Sequence, residues 1–410
     1  MSLKGGFKPP STGSYFLYFL HVSHFPLLIM GDGLMMPPMK ACAGDLVKAR
    51  AREENPAPRY LRRLKRAFMR EIIMKAVLCK EFGPPESLVV EDIASPEPGP
   101  GEVVLEVHAA AVNFPDVLII QNKYQFKPPL PFAPGGEVAG VVSKLGDGVK
   151  NLKIGDRVIG SCGHGGYVEE IALHEGACIP VPDEMDLETA SALVLTYGTS
   201  HYGLKDRAQL KAGETLLVMG AAGGVGLAAV ELGKAMGARV IAAASTQDKL
   251  DVCVAHGADE TILYPSGKLD RDQQKAFSEE IKAKSGGQGA DVIYDPVGDA
   301  YAEPALRAIN WEGRYLVIGF AAGDIPAIPL NLALLKSCQI VGVFWGAFTA
   351  REPKANQANL QELMDMYKAG TIRPHISDKF PLEQAADALN KMANREVKGK
   401  VILTTGRSEG

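Results

Sequence analysis

The run from Thr215 to Val230, TLLVMGAAGGVGLAAV, constrains this chain more than any other, because a buried apolar strand breaks into a glycine turn that opens directly into a helix. Gly223 lets a backbone approach a pyrophosphate, and Gly226 lets the helix pack close to the strand. The free N–H groups at the helix start, across Ala222, Gly223, Gly224, Val225 and Gly226, hold negative charge. Ala221 occupies the first glycine position of a G-x-G-x-x-G pattern, so the turn alone is a weak signal. Its context strengthens it. A helical segment from Val225 to Met236 and a second strand from Arg239 to Ser245 complete the βαβ unit that a dinucleotide cradle requires.

With 410 residues and a net charge of -4, the chain has the size and balance of a globular protein of two or more domains. Basic residues are not clustered in its body, which gives no reason to expect nucleic acid or an anionic membrane surface as partner. Six cysteines stand singly, without a C-x-x-C pair, as suits reduced thiols in the cytoplasm. Residues 1–73 differ from the rest. An apolar stretch from Tyr15 to Met30, too short for a confident membrane span, precedes an Arg-rich segment from Lys48 to Arg70. A signal-peptide core, an organelle-targeting segment, and upstream sequence or a poorly ordered extension before a natural start at Met74 are the competing readings, and the last is favoured. Met74 opens a clean strand.

From Met74 to about Thr196 the pattern is of short strands cut by Gly and Pro, among them Val103–Ala109, Glu137–Ser143 and a turn closed by Asp156–Gly160. From Gly198 to about Leu335 strands and helices alternate, the signature of a doubly wound parallel sheet. The fold class expected is therefore α/β. Gln339 to Trp345 reads as a sixth strand, Asn356–Ala369 and Leu382–Asn394 as helices, and Lys400–Thr404 as a strand that rejoins the β-rich domain.

From Met74 to Gly406 the chain resembles the medium-chain dehydrogenase/reductase superfamily, through Pro134–Gly140 (PGGEVAG), Gly155–Val158 (GDRV), Ala221–Gly226 (AAGGVG) and Gly399–Ile402 (GKVI) in order. Within it, Asn113-Phe-Pro-Asp116 followed by Tyr124 resembles the zinc-independent quinone oxidoreductases, the zeta-crystallin-like group. The resemblance implies a GroES-like catalytic domain (74–197 and 336–406), a Rossmann domain (198–335) and a homodimer joined through the sixth strand. Asn113 stands where the zinc branch has a cysteine and Gly136 where it has a histidine. The cysteine-rich structural-zinc lobe is missing too, so no metal site is expected. His164 and His174 read as loop or surface histidines.

An NAD-preferring fold puts an acid at the end of its second strand, and here Ala244 stands there, followed by Ser245, Thr246 and Lys249. NADPH is the cofactor expected, with Ser245 and Lys249 facing the 2′-phosphate. Asp248 reads as a surface partner of Lys249 or as a first-turn helix acid. By resemblance Tyr264 flanks the adenine, and Thr199, Val297, Phe320, Phe344 and Lys400 join the cofactor site, while Phe344 and Trp345 either line the substrate mouth or pack at an interface. Asn113, Asp116 and Tyr124 match the catalytic positions. Tyr124 either donates a proton or only orients substrate, and Asp116 either acts there or caps the turn after Pro115. The activity implied is hydride transfer from NADPH to a small-molecule quinone or α,β-unsaturated carbonyl (an enone). An enoyl- or acryloyl-thioester reductase and a non-catalytic NADPH- or RNA-binding protein are the alternatives.

Overall fold

The computed structural model describes residues 73–267 and 269–407. The expectations for the leader therefore lie outside the described residues, apart from its last residue, Ile73, which begins strand β1. The strands of the first part are β1 (Ile73–Leu78), β2 (Val89–Ala94), β3 (Glu102–Val112), β4 (Glu137–Leu145), β5 (Arg157–Ser161), β6 (Glu170–His174) and β7 (Cys178–Pro180). Those of the second are β8 (Thr215–Met219), β9 (Arg239–Ala244), β10 (Glu260–Leu263), β11 (Ala290–Asp295), β12 (Ile309–Val317) and β13 (Gln339–Gly342). Two more, β14 (Ile376–Pro381) and β15 (Lys400–Thr404), follow at the end.

The second set forms one six-stranded sheet in the order β10-β9-β8-β11-β12-β13, parallel throughout. Both faces are covered. Leu216, Val218, Val240 and Ala242 enter one apolar core and Leu217, Met219, Ile241 and Ala243 another, which is why these strands read as continuous apolar runs. The order reverses between β8 and β11, so the crevice beyond their carboxyl ends is where such a sheet binds a ligand. The glycine turn lies there.

In the first set β1 and β2 pair with each other as a separate two-stranded sheet, and β3 to β7, with the last two strands, form a sheet in the order β14-β15-β3-β4-β5-β7, with β6 also on β3. As expected, the tail strand rejoins this domain, pairing Val401 with Val112 at the end of β3. Two expectations are corrected. The sixth strand stops at Gly342, and Trp345 opens a helix, Trp345–Arg351, because Phe344 leaves the extended region. The boundary expected at 336 also moves. β13 is the edge of the parallel sheet, and the helix Pro353–Lys368 buries Leu360 and Leu363 in the same core as Leu216, so the chain returns to the antiparallel sheet only with β14. Among the described residues, no helix is long and apolar enough to cross a membrane.

Candidate active site

The glycine turn is shaped by close approach. A Cβ on Gly226 would lie 2.3 Å from the Gly220 carbonyl oxygen and 2.8 Å from Ala221 Cα, so the helix Gly224–Ala235 packs directly on the turn. Gly223 is the N-cap, with no side-chain cap; space opens before it, the nearest atom to a Cβ there being the Gly220 oxygen at 3.4 Å. First-turn N–H groups have no partner within their own helix, so this end is suited to a phosphate. Val297 lies over the turn, 2.9 Å from a Cβ placed on Gly220, and Tyr264 packs on Tyr301 and Phe277 beside the Gly220 backbone. Asp295, at the end of β11, accepts from Val297 N–H at 2.7 Å and Gly298 N–H at 3.0 Å and from the Tyr315 hydroxyl. Phe320 lies against Gly298.

At the end of β9, Ala244 is buried and Ser245 half-buried. Lys249 is half-buried, and its Nζ donates to the Arg395 carbonyl oxygen at 2.6 Å. Burial lowers its pKa, and the charges of Lys398 and Arg395 push the same way. Asp248 is a first-turn acid of the helix Gln247–Ala255, but its ion partner is Lys398, at 2.7 Å, rather than Lys249. The segment Arg395–Lys398, which carries no motif of its own, thus brings two more cations to this corner.

Opposite the turn lies a floor of buried polar side chains. β3 ends at Val112, and Asn113 starts the helix Phe114–Ile119, with Pro115 in its first turn and the Asp116 carboxylate accepting from the Asn113 backbone N–H at 2.8 Å. Asp116 thus closes a capping box at the start of this helix. It is also 3% exposed and accepts from the Tyr167 hydroxyl at 3.0 Å. Burial raises its pKa to about 6 against the opposing pull of these donors and the Lys400 charge. Tyr124 is partly buried at the edge of this core, and burial, with the Asp116 charge, raises its pKa.

Lys400, expected in the cofactor site, reaches both the glycine turn and the floor. Its Nζ donates to Asn113 Oδ1 at 2.6 Å and lies 3.7 Å from Glu137 Oε2, while its Cδ would be 3.2 Å from a Cβ on Gly224. The side chain thus runs from the glycine turn to the floor. Glu137, Tyr167 and this use of Lys400 were missed by sequence reasoning; the one available signal was a glutamate opening an otherwise apolar strand. Thr199 is half-buried on the helix Val194–His201, whose Gly198 faces the Trp345 ring, whereas Phe344 is 60% exposed. Among the described residues no cluster of three or more His, Cys, Asp and Glu side chains is arranged to hold a metal ion.

A doubly wound sheet with a glycine turn at its switch point, facing a polar floor supplied by a second, antiparallel domain, defines a two-domain dinucleotide-dependent oxidoreductase of the medium-chain type. Comparison with known proteins agrees. The alcohol dehydrogenase GroES-like domain family matches residues 99–183, and the zinc-binding dehydrogenase family matches 224–366. The quinone oxidoreductase-like protein 2 homolog of Nematostella vectensis is 39% identical over 335 residues, 81% of this chain and 89% of the relative. Human quinone oxidoreductase is 33% identical, covering 81% of this chain and 98% of its own. Among solved structures, the mycobacterial protein Rv1454c complexed with NADPH aligns with a TM-score of 0.74 at 29% identity, covering 81% of this chain and 99% of its own. The chain belongs to the quinone oxidoreductase family of the medium-chain dehydrogenase/reductase superfamily.

Proposed function

We propose that this oxidoreductase is a zinc-independent, NADPH-dependent reductase of quinones or α,β-unsaturated carbonyls, working in the cytoplasm. The observation that carries the reading is the dipeptide Gly399-Lys400, which joins the two halves of the site. Gly399 N–H donates to the Ala222 carbonyl oxygen in the glycine turn at 2.7 Å, and Lys400 Nζ donates to Asn113 on the floor at 2.6 Å.

The residues present suit NADPH. The turn from Ala222 to Gly226 holds the pyrophosphate, and Ser245, Thr246 and Lys249, with Arg395 and Lys398 beside them, face the 2′-phosphate. Tyr264 braces the turn on the adenine side; Val297, Phe320 and Thr199 line the remainder, and exposed Phe344 lies toward the mouth. When bound, NADPH supplies a hydride from its nicotinamide ring. Asn113 and Tyr124 orient the acceptor over the floor, and Asp116 holds the Asn113 turn. With Asn113 and Gly136 in place of cysteine and histidine, these positions offer zinc neither soft ligand, although one of the matched families is described as zinc-binding. Quinone reduction asks little of an acid, because the hydroquinone anion is stabilised by its ring and takes protons from water.

A homodimer through β13 is part of the proposal. That strand is the edge of the parallel sheet, and Leu330, Leu334, Leu335 and Ile340 around it are exposed, an apolar edge that is an aggregation hazard if left uncovered. Five free thiols among the described residues suit a reducing compartment, and nothing in the described charge pattern calls for nucleic acid.

Turnover of NADPH with a quinone, an enone and an acryloyl thioester tests the reading in one panel. Quinone and enone turnover is expected. Turnover of the thioester alone would move the assignment to a thioester reductase, and tight NADPH binding without any turnover would point to the non-catalytic reading.

A further inference from the structure

Two buried charges on the floor, Glu137 and Lys400, take no direct part in hydride transfer. Glu137 and Lys400 are 2% and 3% exposed, and an ammonium and a carboxylate so deeply buried are costly unless each is held. Glu137 is held by the start of a helix: its Oε1 accepts from the Leu195 N–H at 2.8 Å, with the Val194 N–H beside it. Lys400 is held by Asn113 Oδ1 and the Glu137 charge. The network is nonetheless loose, since Asn113 Nδ2 lies on the Glu137 side but neither it nor Glu137 Oε2 reaches hydrogen-bond geometry with a partner. A half-satisfied buried network is costly unless a bound group completes it. The ammonium also has a definite place. It touches the residue standing at the cysteine position and lies beside the neighbour of Gly136, which stands at the histidine position.

We propose that Lys400 is the fixed cation of the substrate floor: carried on Glu137, it orients the Asn113 amide and supplies positive potential for the oxygen that becomes negative as the acceptor is reduced. This rests on the reductase reading above. Lys400 donates to Oδ1, so the amide is fixed with Nδ2 on the Glu137 side, and the Glu137 charge holds the ammonium at the floor. Lys400 is thus a positioning residue whose loss affects the reduced state of the acceptor more than cofactor affinity.

The test uses the full chain with Lys400→Met, Lys400→Arg and the double variant Glu137→Gln/Lys400→Met, which removes both buried charges together and guards against misfolding caused by one left unpaired. In Lys400→Met, kcat with a quinone should fall by about a hundredfold, the scale for losing a preorganised electrostatic contact, while the NADPH Kd changes by less than about threefold. The arginine variant should recover part of that rate. The double variant should melt near the parent temperature yet stay slow. A readout free of turnover uses 4-nitrophenol as oxyanion mimic in the NADP+ complex: the parent should lower the phenol's pKa on binding by about one unit and Lys400→Met should not. A lost phenolate preference with no turnover in the parent would leave the cation in place and overturn only the reductase reading. An NADPH Kd that rises while kcat holds, parent-like kcat in the double variant, or equal phenolate preference in parent and Lys400→Met would overturn the proposal.

Discussion

Across the cleft, the turn Gly220–Gly226 is made of backbone, whereas the floor is made of the side chains Asn113, Asp116, Glu137 and Lys400, none more than 4% exposed. A site built of backbone N–H groups needs glycine where atoms approach closely and tolerates variation elsewhere. A site built of buried side chains depends on charge balance, and its members come from three separate places in the chain. The two should therefore respond to different perturbations, the turn to added bulk and the floor to altered charge and pH.

The largest expected effect is on the turn. Gly226→Val would drive a side chain into the Gly220 carbonyl oxygen and Ala221 Cα, backbone atoms that cannot move aside, and NADPH affinity should fall by about a hundredfold or more in a fluorescence titration. Gly224→Ala is the sharper control. Its Cβ would meet the Thr196 methyl at 3.0 Å and Lys400 Cδ at 3.2 Å, mostly side-chain atoms able to shift, so the loss should be several times smaller. Equal losses would mean that the close approach at Gly226 is not what shapes the turn.

On the floor the expected effect is on pH dependence. The Asp116 pKa is raised from the ordinary 3.8 to about 6 in the fold, so the folded state binds more protons than the unfolded one between those values. The stability this group contributes should be full below about pH 4, decline as pH rises through 6, and level off above, a change of up to about 3 kcal/mol. Urea unfolding of Asp116→Asn across that range should lack this decline, with the turn variants retaining it. A decline that survives in Asp116→Asn belongs to another group.

Much of this contrast was already visible in the sequence, but unevenly. The turn was legible because a strand, glycines and a helix are contiguous, and each glycine has a local steric reason. Asn113 and Asp116 were legible only by resemblance. Glu137 and Lys400 are 263 positions apart, and no local pattern says that a glutamate at a strand start and a lysine at another meet beneath the cleft. The end of the sixth strand failed for a related reason: an apolar run through Trp345 has the same composition whether it continues as an edge strand or turns into a helix.

Smaller effects sharpen the comparison at each end of the cofactor. Lys249→Ala should weaken NADPH by about 1 to 2 kcal/mol and leave NADH nearly unchanged, because Nζ is already partly committed to the Arg395 carbonyl and Arg395 and Lys398 share the corner. Equal losses for both cofactors would make Lys249 a support for the Arg395 segment. Tyr124→Phe should slow quinone turnover by less than about tenfold, or 1.4 kcal/mol, and enone turnover by more, since an enolate gathers its charge on one oxygen. A large and equal drop for both acceptors would make Tyr124 a general positioning residue.

The central claim is that buried side chains of this chain, with no metal ion, form the floor on which the acceptor is reduced. Metal content and NADPH-dependent quinone turnover, measured on the same sample before and after exhaustive treatment with a strong chelator, test it most directly. The account predicts no stoichiometric zinc and an unchanged rate; stoichiometric zinc whose removal abolishes turnover, with activity restored when zinc is returned, would contradict it.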